Sequence, residues 1–192
     1  MSNAAPILTN VIITGNYSDG MGGGIYMNAL STPILTNITI SGNKAISGGA
    51  IFNLNNYSAP IIRNSIIYGN SSGYTSNLGF PQPENKAGIE SSLIQGLTDA
   101  SKQNIPFTNP FFVDMPSYDL APFTSGNYHL QTGSIAYGAG NSQYYHNGKV
   151  PNLTHVVTDL NGTARSYAAA INLGAFEGMS CPALVRPVAA AA

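Results

Sequence analysis

Three stretches decide the fold: PILTNVIITGN at 6–16, PILTNITISGN at 33–43 and PIIRNSIIYGN at 60–70. Each starts 27 residues after the one before, with Pro, Asn, Gly and Asn in fixed places. Between them, GGGIYMN at 22–28 and GGAIFNLN at 48–55 repeat a second, looser block. Self-similarity at a fixed period marks an architecture of stacked repeats.

The composition of the blocks selects which architecture. Leucine-rich repeats overlap this length but need a spaced leucine pattern that is missing, and helical repeats are longer and richer in Ala, Leu, Glu and Lys. Here short β-branched runs are punctuated by Gly-Asn and Gly-Gly, which reads as strand, turn, strand. Parallel strands ordinarily need a long crossover. A coil that pairs each strand with its own copy one turn later avoids that need. The expected fold is therefore all-β: a right-handed parallel β-helix of about three to four coils with an irregular C-terminal capping region.

The register follows from the equivalences. Ile13, Ile40 and Ile67 form one expected inward ladder, Leu8, Leu35 and Ile62 a second, and Val11, Ile38 and Ser65 a third, because successive side chains alternate faces. Ile12, Thr39 and Ile66 then point outward. Asn10, Asn37 and Asn64 fall at a corner, where Asn tolerates left-handed backbone and can bond its own backbone. Gly15, Gly42 and Gly69, followed by Asn16, Asn43 and Asn70, mark the next corner.

Beyond residue 70 the pattern loosens. The domain expectation is repeats over 1–97 with a loop excursion at 71–88, a C-terminal cap over 98–180 and a tail over 181–192. GIESSLIQGL at 88–97 offers a fourth strand, and PFFV at 110–113 is expected to cover the open end of the stack, since terminal units of a solenoid must be atypical. At the other end, the first strand block has nothing ahead of it to cover the coil edge. Further coils upstream, or end-to-end self-association through that uncapped coil, are the expectations. The first residues, Met1-Ser2-Asn3-Ala4, show no signal peptide and read as a leader joined to an internal segment.

Only 8% of the 192 residues are charged and the formal net charge is −1. That removes the basic footprint nucleic-acid binding needs. No apolar run is long enough for a membrane-spanning helix, and the single cysteine, Cys181, cannot make an intrachain disulfide.

GGAI at 48–51 followed by FNLN at 52–55 resembles the paired GGA[ILV] and FxxN repeats of polymorphic outer-membrane proteins, a β-helical adhesin and autotransporter group. In the second half, NPFFVD at 109–114, GNYHLQTGSIAYGAGN at 126–141 and TDLNGTARSYAAAINLGAFE at 158–177 resemble the C-terminal module of bacterial secreted choice-of-anchor-Q proteins. Phe112, Val113, Asp114, Tyr128, Leu130, Gly133, Ser134, Ala136, Asp159, Gly162, Arg165, Gly174, Ala175 and Glu177 carry that likeness. Ile135 and Tyr137-Gly138 depart from it, standing where the module usually has Pro and Ile-Asp. The resemblance implies an extracellular or cell-surface location and no shared enzymatic activity.

Candidate chemistry is sparse. None of the acids recurs at the repeat offset, so no carboxylate ladder is offered to calcium or to acid–base work. No cofactor is expected. His129, His146 and His155 lack metal-ligand spacing. Arg63, the one charged residue of the aligned blocks, reads as a solvated outward side chain or part of a ligand face. Asp159 and Arg165 flank the Asn161-Gly162 turn at a spacing that suits an ion pair across a hairpin. Tyr26 and Phe52 read as core. Tyr57, Tyr68 and Tyr74, with Arg63, are the candidate glycan contacts, because aromatic rings with amides suit sugar surfaces.

The expected function is a non-catalytic, adhesin-like or glycan-binding segment whose partner is a polysaccharide or host-surface glycan. A fragment of a carbohydrate-active enzyme and a purely structural spacer are the alternatives. An ice-binding face wants an outward threonine ladder, and positions 12, 39 and 66 read Ile, Thr, Ile.

Overall fold

The computed structural model describes residues 1–54, 58–73, 88–98, 100–106, 108–165 and 170–178. In chain order the strands of the repeats are β1 (Ile7–Thr14), β2 (Ile25–Met27), β3 (Ile34–Ser41), β4 (Lys44–Ala45), β5 (Ile51–Asn53), β6 (Ile61–Arg63), β7 (Ile66–Tyr68), β8 (Ser71–Ser72), β9 (Ile89–Glu90), β10 (Leu93–Ile94) and β11 (Ile105–Pro106). A hairpin follows, of β12 (Phe112–Asp114) and β13 (Asn127–Leu130). The described residues contain no α-helix.

The sequence period becomes hydrogen-bonded register. β1 and β3 pair in parallel, with Leu8 opposite Leu35, Val11 opposite Ile38 and Ile13 opposite Ile40. β6 and β7 take up the same lanes, setting Ile62 on Leu35 and Ile67 on Ile40. β9 and β10 continue them with Ile89 on Ile62 and Ile94 on Ile67. Two narrower parallel pairs, β2 with β5 and β4 with β8, form further faces. The result is a curled parallel sheet of solenoid-like form.

The fourth rung keeps the period of the first three: Ile89 lies on Ile62 and Ile94 on Ile67, 27 residues on in each case. Of the excursion expected at 71–88, residues 74–87 lie outside the described residues. The next step is shortened. Ile105 sits on Leu93 only 12 residues on.

Inside the coil, Leu35, Ile38, Ile40, Ile62, Ile67, Ile89 and Ile94 are fully buried. Burying each such side chain is worth about 1.5–3 kcal/mol, which makes the ladders the main support of the fold. One corner is held by amides instead. Asn16 donates its side-chain amide to Oδ1 of Asn43 at 2.8 Å, and Asn43 does the same to Asn70. The Nδ2 groups of Asn43 and Asn70 also reach the Ile13 and Ile40 carbonyls. The column ends at Asn70, whose Nδ2 is taken by the Ile40 and Tyr68 carbonyls. The bend between the two long lanes falls at Asn10, Asn37 and Asn64, whose φ angles are 55°, 50° and 49°. Asn bears this left-handed backbone better than other side-chain-bearing residues.

The C-terminal half runs along the flank of the coils. Phe112, Tyr128, Leu130, Leu173, Ala175 and Phe176 cluster on Ile66 and Leu93, which belong to the outward ladder. PFFV therefore does not close the end of the stack as expected: Phe112 packs laterally, and Phe111 stays half exposed. The reason is the outward ladder itself. Ile66 and Leu93 give the sheet a second apolar face, and that face is what the hairpin covers. Thr39 is buried beneath it too, while Ile12 stays 38% exposed. The corner glycines are part of the fit. A β-carbon on Gly42 would lie 2.5 Å from the Phe123 ring, and one on Gly69 2.7 Å from Met115 Sδ.

Candidate functional site

The bend asparagines do more than turn the chain. Asn10 donates its side-chain amide to the Thr158 carbonyl at 2.7 Å, and Asn64 donates to that of Asn141 at 3.0 Å. Asn37 donates to the carbonyls of both Asn172 and Gly174 at 3.0 Å. In return, Tyr145 Oη donates to Asn37 Oδ1 and the Asn141 amide to Asn64 Oδ1. The three side chains project outward as a polar ridge, and the C-terminal half sits astride it. Sequence reasoning placed the residues at a corner and missed this partner, because the partner lies far along the chain.

Asp159 and Arg165 are both buried, but they do not pair across their turn. Asp159 Oδ1 accepts the backbone amides of Asn161 and Thr163, and its Oδ2 accepts that of Glu177. Arg165 pairs with Glu177 instead, and adds bonds to Asn10 Oδ1 and the Gly174 carbonyl at 3.1 Å each. Two turn amides occupy Oδ1 of Asp159 and the Glu177 backbone amide its Oδ2, and the guanidinium takes the other carboxylate. Burial pushes the Glu177 carboxyl above its ordinary range, against the opposing pull of Arg165. A desolvated ion pair of this kind holds one geometry, and losing either partner is costly.

Arg63 is not a free surface cation. Its Nη1 donates to the Val150 carbonyl at 3.0 Å, its Nε lies 3.5 Å from Glu90, and its guanidinium stacks 4.8 Å from the centre of the Tyr144 ring. Tyr144 in turn donates to Glu90, and burial pushes its phenol up. Tyr68 is half-buried against the flank cluster. Tyr57 and Tyr74 lie outside the described residues. Tyr26 and Phe52, expected in the core, stack on each other instead, centres 5.9 Å apart, on the outer side of β2 and β5. Their neighbours Ile25, Met27 and Ile51 take the inward positions.

A cleft of about 410 Å³ opens on another face, lined by Tyr17, Ser18, Lys44, Ala45, Ile46, Ser71 and Gly73. Tyr17 pairs with Lys44 and Lys44 with Ser71 in parallel register. A ring, an ammonium and a hydroxyl thus stand in line on successive rungs, about 4.8 Å apart. Tyr17 is 55% exposed. Lys44 Nζ lies 3.1 Å from Asp119 Oδ1, a carboxylate brought to the rim by the C-terminal half. Sequence reasoning noted Tyr17 only as one of several loop tyrosines; its equivalence to Lys44 and Ser71 was legible from the offset.

Two stretches of the chain, residues 10–28 and 37–54, match the model of the Chlamydia polymorphic membrane protein (Chlamydia_PMP) repeat. The first two coils are similar to polymorphic membrane protein repeats. No curated protein and no solved structure matches the chain. The two matched stretches open on the bend asparagines Asn10 and Asn37 and run through Ile25 and Ile51. Each matched stretch, 19 and 18 residues long, covers about two-thirds of a 27-residue repeat, from one bend past the Gly-Gly corner. The match points to a bacterial outer-membrane or cell-surface protein. No helix among the described residues is long and apolar enough to cross a membrane. Among the same residues, no three His, Cys, Asp or Glu side chains gather to hold a metal ion.

Proposed function

We propose that this chain is a non-catalytic segment of a bacterial surface protein, a right-handed parallel β-helix that presents the Tyr17–Lys44–Ser71 face to a glycan. The C-terminal half, in this reading, is a choice-of-anchor-Q-type module that buttresses the coils. Neither a cofactor nor a catalytic group has a part in it, and the location is extracellular. The observation that carries the reading is the cleft itself. An exposed ring beside hydroxyls and an ammonium combines stacking with directed hydrogen bonds, which is how sugars are held. The C-terminal half covers the Ile66–Leu93 flank and reaches the cleft only at its rim, through Asp119.

A glycan array probed with the protein and with Tyr17→Ala tests this. Binding to a defined set of glycans that Tyr17→Ala weakens at least about fivefold, near 1 kcal/mol for a lost stacking ring, is the expected result. An array without binders, or binders indifferent to Tyr17, contradicts it.

A further inference from the structure

Lys44 and Asp119 carry the inference further, and it rests on the glycan reading just given. Among the described residues Lys44 is the one cation lining the cleft, and its ammonium is held at 3.1 Å by a carboxylate from a separate part of the chain. Asp119 belongs to a short turn at Tyr118–Leu120, where Ser117 caps its backbone amide at 3.2 Å. Its side chain is 65% exposed against 37% for Lys44. A solvent-exposed pair of this kind is weakly held, so an incoming carboxylate can exchange with it at little cost. Such a carboxylate would meet Tyr17 one rung to one side and Ser71 one rung to the other.

We propose that the Tyr17–Lys44–Ser71 ladder selects a carboxylate-bearing saccharide, and that Asp119 occupies the carboxylate position until the ligand displaces it. The acid of the sugar pairs with Lys44, a neighbouring ring stacks on Tyr17, and the Ser71 hydroxyl binds the next unit. Asp119 is then an internal competitor: it sets the affinity without touching the ligand.

Calorimetric titration with hexagalacturonate, its fully methyl-esterified counterpart and sialyllactose tests this at low and at 0.5 M salt. The expected result is that hexagalacturonate binds about threefold or more tighter than the ester, and that salt erases the difference. Asp119→Asn tightens hexagalacturonate about threefold and leaves the ester unchanged. Lys44→Met abolishes the preference, with circular dichroism showing the coil intact. Preferential binding of sialyllactose with the same variant pattern supports the carboxylate exchange and moves its source to a terminal sugar acid. Equal binding of acid and ester, or indifference to Asp119→Asn, overturns the acid selection and leaves the glycan reading standing. Binding of none of the three overturns both.

Discussion

Asn37 donates its side-chain amide to the carbonyl of Gly174 at 3.0 Å, across 137 residues of chain. The bond joins the second coil to the far end of the described chain, and it repeats in kind at Asn10 and Asn64. What looks in sequence like a corner motif is also the seam that holds the C-terminal half against the coils.

The seam can be cut without straining the bend. Asn37→Gly keeps the left-handed backbone and removes a buried amide that serves two carbonyls and the Tyr145 hydroxyl. It is expected to cost about 2–3 kcal/mol. Hydrogen exchange should show lost protection concentrated in 108–178 while Ile40 and Ile67 stay protected. Loss spread evenly through the coil would contradict a separable seam.

Burial along the ladder predicts a gradient. Ile40 is fully buried between two rungs and Ile13 is only partly so. Ile40→Ala is expected to cost about 4 kcal/mol and Ile13→Ala about half that or less, because a cavity opens only where neighbours enclose it. Chemical denaturation measures both, and equal costs would argue against in-register stacking.

The amide column at the Gly-Asn corner behaves as a chain of dependencies. Asn43→Ala leaves both the backbone and the side-chain amide of Asn16 without their acceptor, and leaves Asn70 Oδ1 with the backbone amide of residue 43 alone. About 3 kcal/mol of destabilisation is expected, against about 1 kcal/mol for Asn16→Ala at the exposed end. Thermal unfolding compares them; a neutral Asn43→Ala would show that the column is ornament.

Glu177 gives the fold a signed pH dependence. Burial holds its carboxyl above the usual 4.5, with Arg165 opposing. A raised value in the folded chain means that the folded state keeps its proton to higher pH than the unfolded one. Its contribution is therefore full below 4.5 and is lost as pH rises through the raised value. Melting temperature plotted against pH should fall for the wild type relative to Glu177→Gln over the range just above 4.5 and then level. A wild type that gains on the variant as pH rises would reverse the assignment.

The parallel register was legible because a stacked repeat writes it directly into the offset between Ile13, Ile40 and Ile67. The outward direction of Ile66 was legible as well. Its covering was not, since nothing local to Ile66 names Phe112 or Leu173 as neighbours. The same limit explains Arg165: the nearest acid in sequence, Asp159, is taken by the amides of its own turn and of Glu177, and the true partner is fixed only by tertiary packing. The cleft stands between these cases. Its three rungs follow from the period, but the Asp119 carboxylate at its rim comes from the half of the chain that has no repeat.

Methyl-to-methyl nuclear Overhauser contacts among the isoleucines test the central claim most directly. In-register parallel rungs about 4.8 Å apart predict cross-peaks between Ile13 and Ile40 and between Ile40 and Ile67, with none between Ile13 and Ile67. Missing neighbour cross-peaks, or a direct contact between Ile13 and Ile67, would contradict the stacked coil.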